Sequence, residues 1–253
     1  MEKIIIGNLK MNLLSVVERE QYLKLLKKEL AGKKIKNFPI VLCPPAIHLE
    51  AFSKLKRKNV FFGAQNVFWK RSGSFTGEIS PSMIKNMGAQ FVILGHSERR
   101  KYFGEKDEEI NQKISSALRN GLIPIVCVGE TALEKEKGQT FRIISAQLKK
   151  AMQRINRTKL NQIIIAYEPV WAVGSDIIPS ANEIMQVKIL IKKILVEIFE
   201  KKYANGARII YGGSVNSKTA KETCLDSGMD GVLVGRESLI PFEFLKIGQI
   251  INS

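Results

Sequence analysis

Histidine and cysteine are scarce, with two His and three Cys in 253 residues. The cysteines, Cys43, Cys127 and Cys224, are far apart and form no CxxC pair. Neither a structural zinc site nor a disulfide framework is expected, and no metal or cofactor is called for. A reduced, cytoplasmic protein is the expectation. Long hydrophobic runs are also missing. No stretch approaches the ~20 apolar residues that cross a bilayer, so no membrane partner is expected. The apolar part of MEKIIIGNLK is too short for a secretory signal. No Pro/Gly/Ser-rich linker and no repeat divides the chain, which predicts one domain spanning 1–253. Acidic residues are few: 24 Asp+Glu stand against 40 Lys+Arg, a formal charge of +16.

Such an excess of cations is the usual footprint of nucleic-acid binding. Here the cations are dispersed: Lys24, Lys27 and Lys28 fall on one helical segment, Lys192 and Lys193 on another, Lys201 and Lys202 at its end. No stretch interleaves them with aromatics as single-strand binders do. A solvated basic surface is the plainer reading, and no nucleic-acid partner is expected. A hydrophobic content of 45% with 25% charged residues excludes disorder and is enough to build an ordinary core.

Short β-branched runs recur at Ile4–Ile6, Ile40–Leu42, Val60–Phe62, Phe91–Leu94, Ile123–Val128, Ile163–Ala166, Ile209–Tyr211 and Val232–Val234. They lack polar alternation, as strands buried on both faces of a parallel sheet do. Amphipathic segments lie between them. The clearest is Asn182–Lys202, with Ile184, Val187, Ile191, Ile194, Leu195 and Ile198 on one face. Leu23, Leu26 and Leu30 form a similar face, and Asp107–Asn120 stops at Gly121. Eight strands alternating with about eight helices over this length predict an α/β protein whose parallel eight-stranded sheet closes as a (β/α)₈ barrel.

In such a barrel the residues just after each strand face the active site. They are Asn8 and Lys10 after strand one, Gly95-His96-Ser97-Glu98 after strand four, and Glu168-Pro169 after strand six. Gly212-Gly213-Ser214 and Gly235-Arg236-Glu237-Ser238 follow strands seven and eight. Taken singly each has a plainer reading. Most lysines are solvated, a Glu at a strand end is commonly surface, and a lone His is commonly structural. Together they form a rim suited to a phosphorylated substrate and proton transfer. Glu168 is the candidate general base. His96, opening a helix whose N-terminus disfavours an imidazolium, is the candidate neutral hydrogen-bond donor. The two glycine loops can supply backbone N–H groups to a phosphate. Val170-Trp171-Ala172-Val173 put apolar residues in a loop, which is either a lid closing over ligand or a segment docked on the barrel.

These blocks, GNLKMN (7–12), GAQNV (63–67), FTGEIS (75–80), VILGHSERR (92–100), VCVGE (126–130), AYEPVWAVG (166–174), YGGSVN (211–216) and DGVLVG (230–235), resemble the triosephosphate isomerase family over essentially the whole chain. The resemblance implies a cofactor-independent isomerase acting on triose phosphates, with Glu168 as base, His96 as electrophile, and Lys10 and Asn8 beside the developing oxyanion. It implies a phosphate clamp from Gly174, Ser214, Gly235 and the N–H of Arg236. Ser97 and Glu98 would support these residues from behind. It also implies a homodimer in which Thr76 reaches the partner's site. Three departures stand out. Leu9 replaces a usual Trp, the lid ends Ser175-Asp176-Ile177-Ile178-Pro179, and Arg236 replaces a Gly. Rival readings are a different phosphate-binding barrel enzyme and a basic binding protein built on the same barrel.

Overall fold

The computed structural model describes residues 2–32, 38–55 and 57–253. Eight parallel strands close into a barrel in chain order: β1 (Ile4–Asn8), β2 (Ile40–Cys43), β3 (Val60–Ala64), β4 (Phe91–Leu94), β5 (Ile123–Val128), β6 (Ile164–Tyr167), β7 (Arg208–Tyr211) and β8 (Gly231–Val234). Closure is made by β1, which pairs with β2 through Asn8↔Cys43 and with β8 through Gly7↔Val234.

The barrel explains the unbroken apolar runs. Ile4, Ile6, Val41, Cys43, Ile93, Ile125, Cys127, Ala166, Ile210 and Leu233 point inward and fill the barrel. The alternate residues Ile5, Leu42, Val92, Val126, Ile165, Ile209 and Val232 point outward and pack under the helices. Most strand residues are buried on whichever face they take, so the runs need no polar alternation.

Around the barrel run α1 (Val16–Leu30), α2 (Leu49–Ser53), α3 (Pro81–Asn86), α4 (Ser97–Phe103), α5 (Asp107–Arg119), α6 (Ala132–Glu136), α7 (Thr140–Ala151), α8 (Ala181–Phe199), α9 (Lys201–Ala204) and α10 (Pro241–Ile251). Ser15 caps α1 by accepting the Glu18 N–H at 3.1 Å, while Leu23, Leu26 and Leu30 are buried. Beyond α5, Gly121 takes φ +69, the left-handed stop its sequence predicts. The connection from β7 to β8 carries a wider-wound helical segment, Lys221–Asp226.

Two expectations shift. The strand reading ends too early at Ile6, Leu42, Phe62 and Ala166, because β1 continues through Gly7 and Asn8, β2 through Cys43, β3 through Gly63 and Ala64, and β6 through Tyr167. These residues end strands whose ladder still pairs them. The helix expected over Asn182–Lys202 stops at Phe199, where Glu200 turns to φ +70 and its N–H bonds back to Val196. With ψ at 152 this is a conformation otherwise kept for glycine, and a glutamate there costs about 1–3 kcal/mol. Its carboxylate is held by Arg157, whose guanidinium also lies over the Tyr203 ring. At the other end, Ser180 and Glu183 form a reciprocal cap on α8.

Candidate active site

The C-terminal ends of the strands surround a cavity of about 420 Å³, lined by Asn8, Lys10, His96, Glu168, Gly174, Gly212, Gly213, Ser214, Gly235 and Arg236 among others. All the site residues expected from the strand ends are therefore brought together, except those argued to act from behind or from a neighbour.

Asn8, buried at the end of β1, accepts the Lys10 N–H on Oδ1 at 3.1 Å. Lys10 itself sits at φ +52, a conformation disfavoured for a residue with a Cβ. The strained turn is fixed from β3: Gln65 Nε2 donates to the Lys10 carbonyl at 2.8 Å and to that of Cys43 at 2.9 Å. The Lys10 ammonium then meets Glu98 Oε1 at 2.6 Å. Glu98 thus makes its contact with the lysine.

His96 leaves β4 in extended conformation and caps α4. Its Nδ1 accepts the Glu98 N–H at 3.2 Å. A nitrogen that accepts carries no proton, so the proton of the neutral ring is on Nε2. Nε2 points at Glu168 Oε1, 2.8 Å away. Burial lowers the His96 pKa, but the charge and hydrogen bond of Glu168 outweigh it and the net shift is upward, with Glu98 adding and Lys10 opposing. The upward shift thus depends on the carboxylate resting against the ring, whereas the Glu98 amide opposes a proton at Nδ1.

Glu168 is 2% exposed. Its backbone N–H is held by the Val128 carbonyl at 2.8 Å, and its Oε2 accepts the Ser97 N–H at 2.9 Å. Gly129 makes room for this strand end, since a Cβ there would lie 2.0 Å from the Glu168 carbonyl oxygen. Ser97 therefore contributes its backbone rather than its hydroxyl.

After β8, Gly235 precedes a 3₁₀ turn over Arg236–Leu239, presenting the start of a helical turn to the cavity. Arg236 is exposed and is not among the residues with positive φ, so its replacement of glycine carries no left-handed strain. Gly174, at φ +68, does use its glycine.

The loop after Glu168 answers to both readings. Its first half is docked: Val170–Ala172 form a 3₁₀ turn, and the Ala172 carbonyl accepts from Ser214 N (3.2 Å) and Oγ (2.9 Å). The Trp171 Nε1–H donates to Glu130 Oε1 at 2.9 Å, and the Lys135 ammonium sits 3.6 Å from the indole centroid. The second half lies at the cavity mouth. Val173, Gly174, Ser175, Asp176 and Ile178 line the cavity, while Ile177 is 71% exposed.

Thr76 does not line the cavity; it lies on an exposed loop whose Phe75 ring packs on Phe68, 4.6 Å between centroids. Reasoning from strand ends misses Gln65 and Glu130. Glu130 is 1% exposed and also accepts the Tyr167 hydroxyl at 3.1 Å. Both occur within the quoted sequence blocks, which was the available signal. Among the described residues no cluster of His, Cys, Asp and Glu could hold a metal ion, and no helix is long and apolar enough to cross a membrane.

The family model for triosephosphate isomerase matches residues 3–251. A triosephosphate isomerase of Dictyoglomus turgidum is 44% identical over 246 residues, covering 97% of this chain and 98% of the other. That of a Thermoanaerobacter species is 39% identical over 245 residues, covering 96% and 97%. That of Endomicrobium trichonymphae is 40% identical over 242 residues, covering 95% of each. With a closed eight-stranded parallel barrel and near-complete coverage in agreement, the chain belongs to the triosephosphate isomerase family.

Proposed function

We propose that this chain interconverts dihydroxyacetone phosphate and D-glyceraldehyde 3-phosphate through an enediolate, with Glu168, His96, Lys10 and Asn8 in contact with the reacting carbons and oxygens. The observation that carries the assignment is the direct pairing of His96 Nε2 with Glu168 Oε1 at 2.8 Å inside the cavity. A proton donor and a carboxylate face each other where no solvent competes. A ketose that enters between them takes the Nε2–H onto its carbonyl oxygen and offers a C1 proton to the carboxylate. Glu168 then returns that proton to C2 while the C1 hydroxyl gives its proton back to Nε2, so acid and base are both restored and no electrons leave the substrate.

The remaining groups divide the dianion. The backbone N–H groups of Gly174, Gly235 and Arg236 hold the phosphate, joined by that of Ser214 once it leaves the Ala172 carbonyl, while the Lys10 ammonium balances the enediolate oxygens. Glu98 and Ser97 position Lys10 and Glu168. In the arrangement described, both Glu168 oxygens are occupied, by Ser97 N–H and by His96. Substrate must therefore displace the carboxylate from its resting contacts, and the second half of the loop, already at the cavity mouth, covers it afterwards. No step calls for a metal or cofactor.

The same reading makes the working protein a cytoplasmic homodimer of single-domain barrels. Its support is an exposed apolar set, Met11, Leu14, Ile47, Phe75, Tyr102 and Phe103, on the loops and short helices that follow several strands. Thr76 on its neighbouring loop would reach the partner's Asn8 and Lys10. A coupled assay in both directions on purified protein tests the activity, and absence of turnover above background would overturn it.

A further inference from the structure

Away from the cavity, the outer face of α8 and the start of α9 form a groove of about 490 Å³. Its floor is apolar, made by Ile189 and Val196, and its rim is Lys188, Lys192, Lys193 and Lys201. Residues 188, 192 and 196 lie one helical turn apart, so the groove follows the helix axis for two turns, about 12 Å.

The charge on this rim is not neutralised. Lys188 meets Asp230 at 2.8 Å, but Lys192 has only the Asn205 carbonyl at 3.2 Å. Lys193 and Lys201 have no carboxylate partner among the described residues. The nearby acids are turned elsewhere: Glu197 pairs with Lys149 at 3.8 Å and Glu200 with Arg157. Three cations without a carboxylate partner among the described residues thus line the same groove as an Ile189 that is 62% exposed. A solvated lysine face needs no isoleucine at its centre, and an apolar patch on a monomer needs no ring of unpaired charge.

We propose that this groove is a docking site for an acidic segment of a partner protein, which seats one or two apolar side chains on Ile189 and Val196 and sets carboxylates against Lys192, Lys193 and Lys201. The complementarity requires both elements, an apolar anchor and flanking negative charge. A nucleic acid fits poorly, because no aromatic side chain lines the groove for bases to stack on. An anionic bilayer also fits poorly, because only two apolar side chains, Ile189 and Val196, face outward here, too few to anchor a helix in a membrane surface.

The test titrates full-length protein with a short, dye-labelled helical peptide carrying Leu at i and i+4 among Glu and Asp. The control peptide has Ser in place of Leu at equal charge, and the third probe is a phosphatidylcholine–phosphatidylglycerol vesicle. The Leu peptide should bind at least about tenfold more tightly than the Ser peptide, and its binding should weaken with salt. Ile189→Glu and the double change Lys193→Glu/Lys201→Glu should each weaken it at least about fivefold, with isomerase kcat/KM unchanged within about twofold. Absence of peptide binding at millimolar concentration, equal binding of the two peptides, or indifference to Ile189→Glu would overturn the proposal. So would binding to vesicles alone. The groove variants keep the isomerase site intact, so loss of docking is distinguishable from failure of the catalytic assignment.

Discussion

His96 Nε2 and Glu168 Oε1 are 2.8 Å apart, and the Glu98 N–H fixes the other ring nitrogen as an acceptor. The pair joins the ends of β4 and β6 across the cavity and couples the titration of the ring to the charge of the carboxylate. Because burial alone lowers the His96 pKa and Glu168 supplies the largest upward effect, Glu168→Gln should move the His96 midpoint down from its wild-type value. Nitrogen-detected histidine NMR reads this directly. An unchanged or higher midpoint in the variant would mean the carboxylate does not rest on the ring.

The same shift has a signed effect on stability. A folded-state pKa above the unfolded one stabilises the protein fully below the unfolded value, and the benefit is lost as pH rises through the folded value. For His96 the shift is upward from 6.5. The Tm difference between wild type and His96→Gln should therefore favour wild type more at pH 6 than at pH 8. The reverse trend would show that the ring is held below its ordinary range in the folded state.

Glu168→Gln should also lower kcat by at least ~10³, since a positioned general base is worth about 10²–10⁴ and proton abstraction is the central step. The glutamine keeps an oxygen for the Ser97 N–H, so the fold should be retained by circular dichroism. A variant keeping more than about a tenth of wild-type kcat would remove Glu168 from the role of base.

Much of this architecture is readable before any coordinates, and the reason is physical. Strands such as Ile123–Val128 are dry on both faces, so composition alone marks them. Rim residues follow from the rule that barrel chemistry sits at strand ends. What escapes is contact between distant parts of the chain. Nothing local in Gln65 announces that its amide holds the Lys10 carbonyl 55 residues away, or in Glu130 that it receives Trp171 and Tyr167. The break at Glu200 escapes for a related reason: no glycine marks it, and its stabilising partner Arg157 lies 43 residues earlier. Apolar periodicity runs on past the break because Ala204 is buried as well.

The dimer expectation has its own test. Phe75 remains 40% exposed even after packing on Phe68, and Thr76 beside it touches no part of this chain's cavity. Sedimentation should give a dimer at micromolar concentration, and Thr76→Arg should shift it toward monomer with loss of activity. A wild-type protein that sediments only as monomer would break the link between this loop and a neighbouring site.

A formal charge of +16 should attract a dianionic substrate from beyond contact distance. The Debye length falls from ~10 Å at 0.1 M salt to ~3 Å at 1 M, so kcat/KM should decline as ionic strength rises. A flat profile between low salt and about 0.5 M would show that the excess cations do not steer substrate.

Arg236 separates two kinds of phosphate recognition. Its backbone opens the 3₁₀ turn after β8, and its N–H is available to the anion whatever the side chain. Because φ at this position is not positive, substitution by glycine relieves no strain and changes only what the guanidinium contributes. The side chain is exposed at the cavity edge and has no carboxylate partner among the described residues. A backbone clamp predicts that Arg236→Gly changes KM by less than about fivefold with kcat unaltered, because the nest of N–H groups survives. A direct charge-assisted contact would be worth about 1.5–3 kcal/mol. Its loss would raise KM by ~12-fold or more. Steady-state kinetics at fixed ionic strength decides between them, and a rise of that size would assign the guanidinium itself to the phosphate.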